Sequence, residues 1–292
     1  MLRISWTLFV SLALTPIAFG QTAKPDPKSR IRLETDIVYR TVDDKTLKLD
    51  LAMPKEGKGP FPAVVCVHGG AWRMGNKKDV RDWIEYLADQ GYVAIAVGYR
   101  LIPDAKWPAQ VEDVQTAVRF LRTNADKYHV NPKKIGSLGY SAGGHLVSFL
   151  GMIDREEGIA CKDFPDCSSK VQCVVNYFGP TDLCYYGMDE SAQNAIFEPM
   201  FGARFKDKPE LFKKASPINY ITKETAPFLI LHGDEDRLVP IDQSRKLNEK
   251  LKAVGVTVQF LEFKGQDHGW TGEHSRKSTQ ATMDFLAENL KK

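Results

Sequence analysis

Ser141 sits in Gly139-Tyr140-Ser141-Ala142-Gly143, a small hydroxyl residue framed by glycines. Residues 134–139 (KIGSLG) read as a short buried strand and residues 142–152 (AGGHLVSFLGM) as a helix, so the serine falls on the turn between them. A sharp strand-to-helix turn forces its central residue into strained backbone geometry, and flanking residues without a Cβ let neighbouring backbones come close around it. The hydroxyl is left exposed above a sheet. It also stands at a helix N-terminus, where unpaired N–H groups and the helix dipole favour a developing negative charge. Those are the conditions under which a serine becomes a nucleophile in acyl transfer.

Such a serine needs a base, an acid that orients the base, and donors for the oxyanion, all brought to the same face by other loops. Three loops offer them. His68-Gly69-Gly70-Ala71-Trp72 follows the apolar run AVVCV, and its glycines let backbone N–H groups approach a substrate oxygen. His232-Gly233-Asp234-Glu235-Asp236 follows FLIL and supplies acids; Asp267-His268-Gly269 follows VQFLEF and supplies a base. Residue types alone leave Asp234, Glu235 and Asp236 open as the acid. His68 and His232 are expected to hold loops together by hydrogen bonds, His145, one turn into the helix after Ser141, is expected to be structural, and His129 and His274 have no setting that suggests chemistry. No pair of histidines has metal-ligand spacing, so neither a metal nor a cofactor is expected.

These loops need a framework, and the apolar periodicity describes one. Residues 35–39 and 46–52 alternate around Asp43-Asp44 as an opening hairpin. Strands and helices then alternate: strands at 63–67, 92–97, 134–139, 171–178, 227–231 and 256–263, and helices near 80–87, 111–121, 142–152, 242–253 and 276–290. This alternation implies an α/β fold, a mostly parallel sheet of about eight strands covered by helices on both faces, with the site on loops at the strand C-termini. Residues 183–220 break the rhythm. They carry Tyr185, Tyr186, Met188, Phe197, Met200 and Phe201 but no strand pattern, which suits either a lid over the site or a helical excursion packed on the core.

Arg3 precedes an apolar run at 4–19 that ends in Ala18-Phe19-Gly20, so residues 1–20 read as a secretory signal peptide, with an uncleaved anchor as the alternative. Residues 21–31 then form a flexible linker and residues 32–292 one α/β domain. Export implies a secreted or periplasmic protein with no stable membrane association after cleavage. Export also makes disulfides possible among the five cysteines. Cys161 and Cys167, which close the polar loop CKDFPDC, are the expected bridge, and Cys66 within AVVCVH is expected as a buried free thiol. A net charge of +3 across 292 residues gives no case for nucleic acid or an anionic membrane surface.

Six motifs in order carry a resemblance to a known family: HGGAW, YRL at 99–101, GYSAGGH, GPTDL at 179–183, HGDEDRLVP and DHGW. Together they resemble the esterase and lipase branch of the α/β-hydrolases, including hormone-sensitive-lipase-like and bacterial feruloyl or acetyl-xylan esterase-like enzymes, over residues 32–290. The chain order Ser, Asp, His agrees with that fold. The resemblance implies Ser141 as nucleophile, His268 as base, Asp236 as acid with Asp234 as the alternative, and an oxyanion hole from the N–H groups of Gly70, Ala71 and Ala142. Ala71 departs from a third glycine present in many relatives. Asp182 is ranked as a loop brace, and Trp72 and Trp270, which flank the oxyanion loop and the base, are read as substrate-lining residues, with a place in the core as the equal alternative. The expected partner is a small-molecule or polysaccharide ester. An amide hydrolase of the same fold and a non-catalytic binding protein are the rivals.

Overall fold

The computed structural model describes residues 30–42, 44–156, 158–159 and 162–292. The expected signal peptide, linker residues 21–29 and Cys161 lie outside the described residues. Strands β1 (Ile31–Val42) and β2 (Lys45–Pro54) form the opening antiparallel hairpin, which turns through Asp44 at φ 61°. They are followed by β3 (Phe61–Val67), β4 (Val93–Val97), β5 (Val130–Tyr140), β6 (Cys173–Tyr177), β7 (Phe228–Gly233) and β8 (Val258–Phe263). The helices are α1 (Arg81–Asp89), α2 (Ala109–Thr123), α3 (Ala142–Met152), α4 (Glu190–Phe201), α5 (Pro209–Lys214), α6 (Asp242–Ala253) and α7 (Gly272–Leu290). The strands form one eight-stranded sheet in the order β1-β2-β4-β3-β5-β6-β7-β8. Only the pairs involving β2 are antiparallel; from β4 to β8 every neighbour is parallel.

All five residues of β4 (VAIAV) are buried, because helices cover both faces of the sheet and an alternating polar pattern would leave polar groups without water. Along β3, Ala63, Val65 and Val67 belong to the core layer that also holds Val111 and Val114 of α2, Leu146 and Phe149 of α3, and Leu247 of α6. Val64 and Cys66 face the opposite layer, built from Trp83, Ile84 and Leu87 of α1 and Phe285, Leu286 and Leu290 of α7. Cys66 is a buried free thiol, as expected. Burying each large aliphatic or aromatic side chain in these layers contributes roughly 1.5–3 kcal/mol.

Strand register is what brings the loops together. Val67 pairs with Gly139, Tyr140 with Tyr177, Tyr177 with Leu231, and Gly233 with Phe263. The parallel strands therefore end at one edge, with His68, Ser141, Phe178, Asp236 and His268 all in the loops just beyond.

Residues 183–220 form a helical excursion packed on the core. Asp189 caps α4 by accepting from the Ala192 N–H at 3.0 Å, and Gly202 ends the helix in the left-handed region at φ 65°. Phe197, Met200 and Phe212 are completely buried against the larger core layer. Tyr185, by contrast, projects into solvent.

The expected Cys161–Cys167 bridge is not shown, since Cys161 lies outside the described residues. Cys167 is a free thiol whose Sγ lies 3.3 Å from Thr123 Oγ1 of α2, and Arg155 holds its carbonyl at 3.3 Å. Its side chain is thus engaged with α2.

His145, on the first turn of α3, joins three segments. The Trp72 indole N–H donates to its Nδ1 at 3.2 Å, and its Nε2 lies 2.8 Å from the Ala215 carbonyl. An indole can only donate and a carbonyl can only accept, so the hydrogen is on Nε2. Burial pushes the His145 pKa down to about 4, with the Ala215 bond opposing it, and burial likewise lowers that of His68. The unfolded chain therefore takes up a proton near pH 6.5 that the folded chain refuses until about pH 4. The stabilisation is complete above pH 6.5 and is lost as pH falls through this window. Denaturant unfolding between pH 7 and 4 should show a loss from His145 on the order of 3 kcal/mol, with His68 adding in the same sense. His145→Gln should be less stable at pH 7 and show a flatter acid dependence. Parallel curves for the two proteins would contradict this account.

Candidate active site

Ser141 has φ 52° and ψ −119°, a left-handed conformation that a residue with a side chain adopts only when its surroundings compel it. Its N–H donates to the Tyr177 carbonyl at 2.9 Å, and its own carbonyl accepts from the His145 N–H at 3.0 Å. The two flanking glycines make the turn possible. A Cβ on Gly143 would lie 2.2 Å from the Val67 carbonyl oxygen, and one on Gly139 would lie 2.3 Å from the Gly143 carbonyl oxygen. Ala142 opens α3, so its N–H has no partner within the helix.

The loop after β3 lies against this turn. A Cβ on Gly69 would meet the Tyr140 carbonyl oxygen at 3.0 Å and Ser141 Cβ at 3.3 Å. Gly70 (φ 107°), Ala71 (φ 50°) and Trp72 (φ 59°) follow in positive-φ conformations, closed by N–H bonds of 3.0 Å from both Arg73 and Met74 to the Gly70 carbonyl. Two consecutive non-glycine residues in that region mark a backbone held by its surroundings. His68 supplies part of the hold, since its buried ring stacks on Tyr99 at 4.3 Å and Tyr99 Oη donates to the His68 carbonyl at 3.1 Å.

Asp236 and His268 meet across two loops. His268 Nδ1 lies 2.7 Å from Asp236 Oδ2, and His232 Nε2 lies 3.1 Å from the same oxygen. Asp236 Oδ1 accepts from the N–H groups of Leu238 at 2.9 Å and Val239 at 2.8 Å. Burial by itself raises the carboxyl pKa. Hydrogen bonds from His232 and His268, with the charge of His268, outweigh burial and hold the Asp236 carboxyl well below the usual carboxylate range. Asp234, the alternative acid, instead accepts from the Gly265 N–H at 2.6 Å. Asp267 ties the two loops together by accepting from the Arg237 N–H at 3.0 Å and the His268 N–H at 2.8 Å.

Trp72 is only 2% exposed, with its ring against His145 and Phe197, which is the core placement held open as the alternative. Its aromatic bulk fills the space between α3 and α4, which motif reading could not distinguish from a pocket wall. Trp270 is half-buried, stacks on Phe263 at 4.3 Å, and donates its indole N–H to Ser278 of α7 at 2.9 Å. Asp182 braces a loop as expected, accepting at 3.2 Å from the N–H groups of both Cys184 and Tyr185.

Two contributors were not singled out from sequence. Phe178, at φ 41° just past the end of β6, presents its ring 4.5 Å from that of His268; its position directly beyond a strand beside β5 was the available signal. Gln243 of α6 uses its whole amide on the 181–185 loop. It accepts from the Thr181 and Asp182 N–H groups at 2.9 and 2.7 Å, and donates to the Asp182 and Tyr185 carbonyls, each at 3.0 Å. A polar residue in a polar helix carries no sequence mark of this. Among the described residues, no three His, Cys, Asp or Glu side chains gather where they could hold a metal ion.

Comparison with known proteins places the chain among esterases in sequence and fold. The BD-FAE family model matches residues 49–251. Esterase LipC of Mycobacterium tuberculosis is 33% identical over 78% of this chain and 58% of its own length. This chain thus spans under two thirds of that relative. A truncated carbohydrate esterase from gut microbiota superposes with a TM-score of 0.79 at 29% identity, covering 92% of this chain and 99% of that one. The propionate-bound Est2 esterase of Thermogutta terrifontis superposes at 0.76 and 28% identity, covering 90% and 96%. With a strained serine at the end of β5, an imidazole and carboxylate paired beyond β7 and β8, and a family match over more than half its length, the chain belongs to the BD-FAE family, within the esterase and lipase branch of the α/β-hydrolases.

Proposed function

We propose that the protein is a serine carboxylic-ester hydrolase that works through an acyl-enzyme on Ser141. The observation that carries this reading is the 2.7 Å contact between His268 Nδ1 and the Asp236 carboxylate. An ionised carboxylate can only accept, so His268 carries its hydrogen on Nδ1 and leaves the Nε2 lone pair free to act as a base. In the reaction, Nε2 takes the Ser141 proton as Oγ attacks the ester carbonyl. Negative charge gathers on the carbonyl oxygen, where the N–H groups of Gly70, Ala71 and Ala142 act as donors. The intermediate collapses with cleavage of the bond to the alcohol, and the imidazolium returns its proton to that alcohol. Water then repeats the sequence on the acyl-enzyme, releasing the acid and regenerating Ser141. None of these steps uses a metal or cofactor.

The substrate in this proposal is a small-molecule or polysaccharide ester, including acetyl or feruloyl esters of plant polysaccharide, met outside the cytoplasm after signal cleavage. The likeness to a carbohydrate esterase supports the substrate class, and the apolar run at 4–19 supports export. Activity on acetylated xylan, a feruloylated sugar and 4-nitrophenyl acetate, with a peptide anilide as control, tests the reading. Turnover of the anilide in preference to every ester would favour an amide hydrolase, and turnover of none would favour a binding protein.

Ser141→Ala is expected to lower kcat by roughly 10⁶-fold with little change in melting temperature, because the turn keeps its backbone. Activity within tenfold of wild type would remove Ser141 from the mechanism. Asp236→Asn should cost about 10⁴-fold in kcat by favouring the wrong His268 tautomer, and Asp234→Asn should cost little. The reverse ranking would reassign the acid. Because Asp236 is held ionised below the usual carboxylate range, its own protonation should not add to the fall of kcat/KM between pH 4 and 6. The logarithmic profile should then fall with a limiting slope of one, and a slope of two between pH 4 and 6 would show a second essential ionisation.

A further inference from the structure

His232 is fully buried, lies at the end of β7 and plays no part in the steps above, yet it touches the same carboxylate oxygen as His268. Its Nε2 lies 3.1 Å from Asp236 Oδ2 and 2.8 Å from the Val239 carbonyl oxygen. Neither neighbour can donate, so Nε2 must carry a hydrogen whichever state the ring adopts. On the other side, Nδ1 lies 2.6 Å from Ser244 Oγ of α6, which anchors the ring against rotation. The sheet fixes the backbone as well, since His232 is in register with Glu262 of β8. Phe178 packs against both imidazoles, with ring centroids 6.3 Å from His232 and 4.5 Å from His268.

Asp236 thus has four N–H groups around it: two backbone amides on Oδ1 and two imidazoles on Oδ2, the single His232 Nε2 hydrogen being shared with the Val239 carbonyl. A buried carboxylate oxygen that loses one of two donors retains its desolvation cost with half its compensation, and can turn toward whatever donor remains. We propose that His232 is a positioning residue for the reaction: its Nε2–H holds Asp236 Oδ2 in the orientation that pairs with His268, and the Ser244–His232 pair transmits that hold from α6 and the sheet. This inference rests on the Ser141-His268-Asp236 reading, and assigns His232 no contact with substrate.

The discriminating experiment compares His232→Asn with His232→Gln on 4-nitrophenyl acetate, counting folded molecules by circular dichroism and thermal melting. An Asn amide reaches the place of Nδ1 but not that of Nε2, whereas a Gln amide can present an N–H near the Nε2 position. His232→Asn is expected to lower kcat roughly 10- to 100-fold with KM within about twofold, the size of one lost hydrogen bond to a charged group. His232→Gln should recover kcat to within about threefold of wild type. In an Asp236→Asn background, His232→Asn should change kcat by less than about twofold, because the interaction is already gone. Ser244→Ala, which keeps the imidazole but frees Nδ1, should lower kcat several-fold in the same sense.

An unchanged kcat per folded molecule in His232→Asn, with only the melting temperature lowered, would overturn the proposal and leave His232 a packing residue. Should that variant fail to fold, an unchanged kcat in Ser244→Ala overturns it equally. The two readings fail differently. If Asp236→Asn is inactive while His232→Asn retains full kcat, only the role of His232 falls; if Asp236→Asn retains full kcat, the triad reading falls and takes this one with it.

Discussion

Helix α3 enters the sheet so closely that the Val67 and His68 carbonyl oxygens lie 2.2 and 2.6 Å from where a Cβ on Gly143 would be. This contact between a helix backbone and a strand backbone sets the site. It holds Ser141 at φ 52°, binds the serine N–H to the Tyr177 carbonyl, and brings Gly69 to within van der Waals reach of Ser141. Any side chain on Gly143 would push α3 off β3, and the serine and the Gly70-Ala71 loop would separate together. Strain at the serine is thus maintained by packing on every side of it.

The second half of the site depends on a different kind of force. Asp236 is a buried charge, and its cost is met by N–H donors from three places: the Leu238 and Val239 amides of its own turn, His232 of β7, and His268 beyond β8. Burial and hydrogen bonding act on its carboxyl in opposite directions, and the hydrogen bonds prevail. Because the Leu238 and Val239 amides occupy Oδ1, Oδ2 is presented to the imidazoles. Asp267 then links the acid loop to the base loop through the Arg237 and His268 N–H groups.

Residues 183–220 are joined to the loops that form the site. Trp72 connects the loop after β3 to His145 of α3 and to Phe197 of α4, and His145 passes the connection on to the Ala215 carbonyl. Gln243 does the same from α6, holding the loop that carries Tyr185. Both connections use neutral side chains with every polar atom partnered, which suits a dry interior where an unpaired group would be costly.

Much of this was legible in the sequence, for identifiable reasons. The alternation of apolar runs defines β3 to β8 and their helices because a sheet covered on both faces needs continuous apolar strands, and α3 and α6 begin and end where periodicity predicts. Ser141, His268 and the acidic loop were recognisable because each directly follows such a strand. Local pattern could not rank Asp234 against Asp236, since which carboxylate faces His268 depends on how the turns after β7 and β8 meet; only the fold turned Asp234 toward Gly265 and Asp236 toward the imidazoles. Nor could it tell that Trp72 is core, that Cys167 lies against Thr123, or that Gln243 holds a site loop. Residue type and spacing therefore determined the strands, the helices and the chemistry available at their ends. The pairing of that chemistry came from tertiary structure alone, because a hydrogen bond between residues 32 apart, as between Asp236 and His268, depends on strand register and loop packing that no local window contains.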